Sequence, residues 1–138
     1  MTAPAPTPQQ IELARASYER CLRHENFFRS FYERFLASDP AIAPQFANTK
    51  FERQDKLLQH GLGLLLSYAG RPNPHLLERL AQRHGPADMD VPAAQFAMFL
   101  DSLLHAVRLH DPECSAEVEE AWRASMLPGV QYLVQFGR

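Results

Sequence analysis

A chain of 138 residues is the length of one domain, and the 46% of it that is apolar suffices for one core. Its formal charge of −2, from 14 basic and 16 acidic residues without any Lys/Arg block, offers no field for a phosphate backbone, so nucleic acid is not an expected partner. The longest apolar run, Leu62 to Leu66 with Gly63 inside it, is far below the roughly twenty residues that cross a bilayer, and the opening MTAPAPTPQQ lacks the build of a secretory signal; a cytoplasmic protein with no membrane partner is expected.

The proline-bearing residues 1–8 are read as a flexible segment ahead of one domain over 9–138. Apolar residues then recur at spacings of three and four. Ile11, Ala14, Tyr18 and Cys21 or Leu22 form one stripe between Gln9 and Leu22, and Phe28, Tyr32, Phe35 and Leu36 form another between Glu25 and Ser38. A turn-like piece, Asp39 to Phe46, leads to Asn48 or Thr49 as the cap of a long helix through Phe51, Gln54, Leu58, Leu62 and Leu65, stopped near Gly70. Asn73-Pro74 opens the next helix, which carries Leu77, Leu80, Ala81 and His84 up to the stop at Gly85-Pro86. Pro92 opens a fifth, through Phe96, Phe99, Leu103 and Val107, to about His110. The last starts around Asp111 to Ser115 and passes Trp122, Met126 and Leu133, with Pro128 expected to kink it or displace a hydrogen bond. No segment alternates with period two, so the expectation is a single all-α domain, packed helix on helix. Cys21 and Cys114 belong to no C-x-x-C pair and read as reduced thiols.

Four positions can carry chemistry. His84 shares a helix face with Leu77, Leu80 and Ala81, one residue before a stop, where unpaired carbonyls can accept one ring N–H and leave the other nitrogen to a metal. A histidine at a helix end is, taken alone, more often a packed or dipole-stabilised side chain. Tyr32 lies on an apolar stripe among phenylalanines, where its hydroxyl needs a partner. Gln54 falls in line with Leu58 and Leu62, where an amide is costly to bury alone, although a border glutamine would look the same. Phe46, just after two prolines, can be loop packing. The remaining histidines, His24, His60, His75, His105 and His110, lie at borders or late in helices, and no H-E-x-x-H, G-x-S-x-G or phosphate-binding glycine loop occurs.

Taken in order, FYERFLASDPAIAPQF, FERQDKLL, LLERLAQRHG and EEAWRASMLPGVQYL resemble the bacterial globin family over roughly Gln9 to Phe136. The resemblance implies a globin fold of six to seven helices enclosing a heme b pocket. It makes His84 the iron ligand, Phe46 the ring packed on the porphyrin, Tyr32 and Gln54 the polar pair on the gas-binding side, and Leu58 the apolar residue one turn on. It further implies contact with the cofactor from Phe28, Leu57, Leu80, Arg83, Val91, Phe96 and Leu100. An alternative register puts Leu57, with Gly61 or His60 below it, in the place of Gln54.

Departures from related groups narrow the expectation. Flavohemoglobins resemble this chain in the tyrosine–glutamine pocket, but they place a tyrosine where Phe96 stands here, and they add a glutamate late in the last helix and a reductase domain; sensor globins add an output domain. The resemblance therefore implies reversible binding of O₂, CO or NO, with NO oxidation through an external reductase, or gas sensing through a partner, as the other readings. A heme-free interaction module on the same fold would usually lose the histidine that His84 matches.

Overall fold

The structure, a computed structural model, describes residues 4–138; the first three residues of the segment expected to be flexible lie outside the described residues. Helix α1 spans Pro8–Leu22, one residue longer at its start than the apolar stripe indicates, because Thr7 and Gln10 form a reciprocal cap. The Thr7 hydroxyl accepts from the Gln10 amide at 3.1 Å, and the Gln10 side chain accepts from the Thr7 amide at 3.0 Å, which satisfies two of the free donors of the first turn. Helix α2 is Phe27–Ala37, and a short 3-10 turn follows at Ala43–Phe46. Helices α3 (Phe51–Gly70), α4 (Pro74–His84), α5 (Ala93–His110) and α6 (Ala116–Gln135) complete the order, with no strand among the described residues.

One local expectation is corrected. Neither Asn48 nor Thr49 caps α3: the 3-10 turn runs on through Ala47 to Thr49, whose amide bonds to the Phe46 carbonyl at 3.1 Å, so α3 opens one residue later, from the Lys50 carbonyl without a side-chain cap. As expected, α6 runs on through Pro128. At the neighbouring Gly129 a β-carbon would lie 2.5 Å from Leu65 Cδ2, so its absence lets α6 pass close over α3. Asn73 and Ser115 do cap α4 and α6, accepting from the amides of His75 and Val118.

The core forms where α6 meets α1, α3 and α5, around the fully buried Trp122, Met126, Leu62 and Leu103. Each such apolar side chain contributes roughly 1.5–3 kcal/mol by leaving water. One polar network is buried with them. The Trp122 indole donates to Ser17 Oγ at 2.8 Å, Ser17 donates to Asp111 at 2.5 Å, and Arg20 donates twice to Asp111 at 2.6 and 2.9 Å, which ties α1, the end of α5 and α6 into one unit. No helix among the described residues is long and apolar enough to cross a membrane.

This packing leaves two pairs of helices facing each other. Helix α2 packs on α5, and α3 packs on α4. The two pairs are joined through α1 and α6 rather than by close backbone packing of α2 or α5 on α3 or α4. Across that gap the contacts are made by side chains: Tyr32 reaches Phe51, and Phe96 reaches His84.

Candidate functional site

The α2 side of the gap is aromatic because α2 carries Phe28, Phe31, Tyr32 and Phe35 on neighbouring turns of one face. Tyr32 is 5% exposed, with its ring centroid 4.9 Å from Phe31, 5.2 Å from Phe51 and 5.9 Å from Phe46. Phe46 also stacks on Phe51 at 6.4 Å, so the 3-10 turn and the start of α3 close over the phenol. Burial raises the Tyr32 hydroxyl to about 12, the nearby Asp55 carboxylate adds to that, and a hydrogen bond with Gln54 opposes it. At neutral pH Tyr32 therefore keeps its proton, and it is a hydrogen-bond donor beside the Gln54 amide.

Gln54 and Leu58, one turn apart on α3, are both half-buried, whereas Leu57 is 54% exposed and His60 is exposed. The register with Gln54 is thus the one that meets Tyr32. Phe51, three residues before Gln54, completes this cluster and was absent from the site expected from sequence. Its spacing from Gln54 on the α3 stripe was the available signal, but its contact with Tyr32 depends on how α3 crosses α2.

On the opposite side, His84 is the last residue of α4 and is half-buried. Its Nδ1 lies 2.8 Å from the Leu80 carbonyl oxygen. A carbonyl can only accept, so Nδ1 carries the proton and Nε2 is left with a free lone pair, the form in which an imidazole ligates a metal. The ring centroid is 6.2 Å from that of Phe96 on α5, whose neighbour one turn on, Leu100, is also buried. Leu80 and Val91 are half-buried and pack against the core, and the Val91 amide donates to the His84 carbonyl at 2.9 Å.

The other expected residues fall less centrally. Phe28 is half-buried against Phe27, with ring centroids 5.2 Å apart. The Arg83 side chain is 66% exposed, and its guanidinium is paired with Asp88 at 3.2 Å. Two surface clefts lie elsewhere. One of about 570 Å³ opens between α1 and α3 around Tyr18, Lys56 and His60, and one of about 700 Å³ lies between α2 and α5 around Arg34 and Asp101. Neither is lined by Tyr32, Gln54 or His84, and both are open and partly polar, unlike the aromatic gap. Among the described residues no three His, Cys, Asp or Glu side chains converge as a metal site. His84 is a single donor, which is the number a metal already held by a macrocycle needs on one face.

A family model described as Globin matches residues 29–127, a span that holds Tyr32, Phe46, Gln54 and His84. Among solved structures, a protein from Pseudomonas aeruginosa PAO1, described as structurally highly homologous to a human hemoglobin, is similar with a TM-score of 0.88 and 36% identity. The similarity covers 91% of this chain and 95% of that one. A search of curated proteins found no match.

Proposed function

The chain belongs to the globin family, whose members typically bind heme, and from that premise we propose that it holds heme b through His84 and binds O₂, CO or NO reversibly beside Tyr32 and Gln54. Two observations carry this reading: an imidazole at the end of α4 whose Nδ1 donates to the Leu80 carbonyl and so leaves Nε2 as the donor to a metal, and a buried phenol at Tyr32 that keeps its proton at neutral pH. The residues present fit the cofactor. Half-buried apolar side chains, Phe46, Leu58, Leu80, Val91 and Phe99, pack against the core, and Leu57 stands 54% exposed on α3, apolar surface of the kind that a flat apolar ring would cover.

Heme, when bound, would supply an iron able to take up a diatomic gas. His84 Nε2 would hold that iron, and the hydrogen bond that Nδ1 donates to the Leu80 carbonyl would make Nε2 more electron-rich. Tyr32 and Gln54 offer donors to a diatomic guest that gathers negative charge. Inside a gap walled by phenylalanines each such bond is worth about 1.5–3 kcal/mol, more than it would be in water. O₂, which gathers more charge than CO, is therefore the ligand this side of the gap favours. Phe46 and Phe51 limit the access of water to the phenol.

Absorption spectra of the purified protein, reduced and then exposed to O₂ and to CO, test the reading. Distinct bands for each gas are expected, and His84→Ala is expected to lose tightly held pigment or change its axial coordination. Full retention of pigment with unchanged coordination in that variant would refute it. The protonated Tyr32 phenol also suits a second reading, oxidation of NO to nitrate in which O₂ supplies both added oxygen atoms and a separate reductase would return the iron to its reduced state after each turnover. Steady NO consumption with a cellular reductant, rather than a single turnover, distinguishes it from gas binding alone.

A further inference from the structure

The end of α4 is held from outside by the residues that follow α6. The carbonyls of Arg83, His84 and Gly85 accept from the amides of Met89 at 3.2 Å, Val91 at 2.9 Å and Asp90 at 2.8 Å, so the chain from 85 to 91 folds back under the last turn of α4. That fold places Asp90 at a φ of +48°, in the left-handed region, which costs a residue with a side chain free energy and must be stabilised from elsewhere.

Arg138 supplies the restraint. Its Nη2 lies 2.8 Å from Asp90 Oδ1 and donates to the Val91 carbonyl at 3.2 Å, while the Val91 amide bonds back to His84. Phe136 packs on the residue after the histidine: a β-carbon at Gly85 would lie 3.0 Å from Phe136 Cδ1 and 2.9 Å from the Ala81 carbonyl oxygen, so glycine is what lets that ring close on α4. Gly137, with φ +71°, turns the chain so that Arg138 reaches the loop.

We propose that Arg138 is a positioning residue for His84, acting through Asp90 and Val91 to restrain the imidazole along the axis of α4, as the Leu80 carbonyl restrains its rotation. The proposal rests on the reading of His84 as the iron ligand. Loosening the clamp would let the end of α4 shift and alter how closely the imidazole approaches the metal, without touching the gas-binding side of the gap. The ion pair is partly exposed, 39% at Arg138 and 59% at Asp90, so its effect is modest and local rather than a matter of global folding.

The test uses the full chain loaded with heme and compares Arg138→Met, Arg138→Lys and Asp90→Asn, the last of which keeps a residue tolerant of positive φ. One readout is amide hydrogen exchange at Val91. The other is the iron–histidine stretching band of the reduced protein just after photolysis of CO. Arg138→Met and Asp90→Asn are expected to speed exchange at Val91 by up to about fivefold and to displace or broaden the band, whereas Arg138→Lys stays near wild type. An unchanged band and unchanged exchange in Arg138→Met would overturn the proposal, as would an Arg138→Lys variant displaced as far as Arg138→Met. Absence of any iron–histidine band in the wild-type protein would instead sink the assignment of His84, and the clamp with it.

Discussion

Replacing Tyr32 with phenylalanine removes one oxygen and leaves the ring where it is. Three neighbouring rings, those of Phe31, Phe51 and Phe46, hold the aromatic body within 4.9 to 5.9 Å between centroids, so the variant is expected to fold with a stability change below about 1.5 kcal/mol. What disappears is a donor that is fully protonated near neutrality, because burial raises its pKa to about 12. If that donor stabilises a charge-gathering O₂ by about 1.5–3 kcal/mol, release should accelerate roughly 10- to 150-fold. For CO, which gathers less charge, the corresponding bond lies in the neutral range of about 0.5–1.5 kcal/mol and release changes by about tenfold at most. Stopped-flow displacement of each gas from the reduced protein measures both rates. Equal acceleration of O₂ and CO would mean that the substitution opened the gap rather than removed a donor, and the argument for Tyr32 would fail.

Gln54→Leu should accelerate O₂ release less than Tyr32→Phe, and the double variant should fall short of the sum of the two, because both side chains would act on the same guest; displacement kinetics on the three proteins form the cycle. Asp111→Ala should destabilise the protein by about 3 kcal/mol, near the low end for a broken buried pair because Arg20 keeps some solvent contact, and should lower the melting temperature by about 10 °C in calorimetry. Burial alone would raise the Asp111 carboxyl, but hydrogen bonds from Arg20, Ser17 and the Glu113 amide outweigh it and hold the group below the ordinary range. Its contribution is therefore complete above the unfolded carboxyl's pKa and is lost as pH falls through the lower folded value, so acid unfolding monitored by circular dichroism should lose part of its slope in Asp111→Ala. Gly129→Ala adds helix propensity of about 1 kcal/mol but drives a methyl group into Leu65, an overpacking cost of about 1–3 kcal/mol, and a net loss in urea midpoint is expected; a gain would show that α3 can yield there.

How much of this was legible beforehand follows from the range of the interactions. The helix order, the start of α4 at Asn73-Pro74 and the stop after His84 are set by neighbours within one turn, and the sequence reports them directly. So does the apolar stripe that carries Tyr32 and the one that carries Gln54. The start of α3 was misread because Asn48 and Thr49 are good caps locally, while the preceding 3-10 turn runs on to Thr49, whose own amide it uses. Arg83, expected at the cofactor, pairs with Asp88 in the loop that follows α4, a partner that only the fold of that loop supplies.

By itself, then, the chain's residue pattern determined an all-helical domain, the helix that ends at His84, and a free helix-end carbonyl to orient that histidine. Only the tertiary placement of α3, set by its packing on α4, α6 and α1, put Gln54 rather than the exposed Leu57 beside Tyr32 and brought Phe51 to the same ring. It likewise took the closure of the chain after α6 to bring Arg138 onto Asp90 and Val91. Periodicity records which face of a helix is apolar, but which two faces meet, and at what height along their axes, is fixed by side-chain packing summed over the whole core.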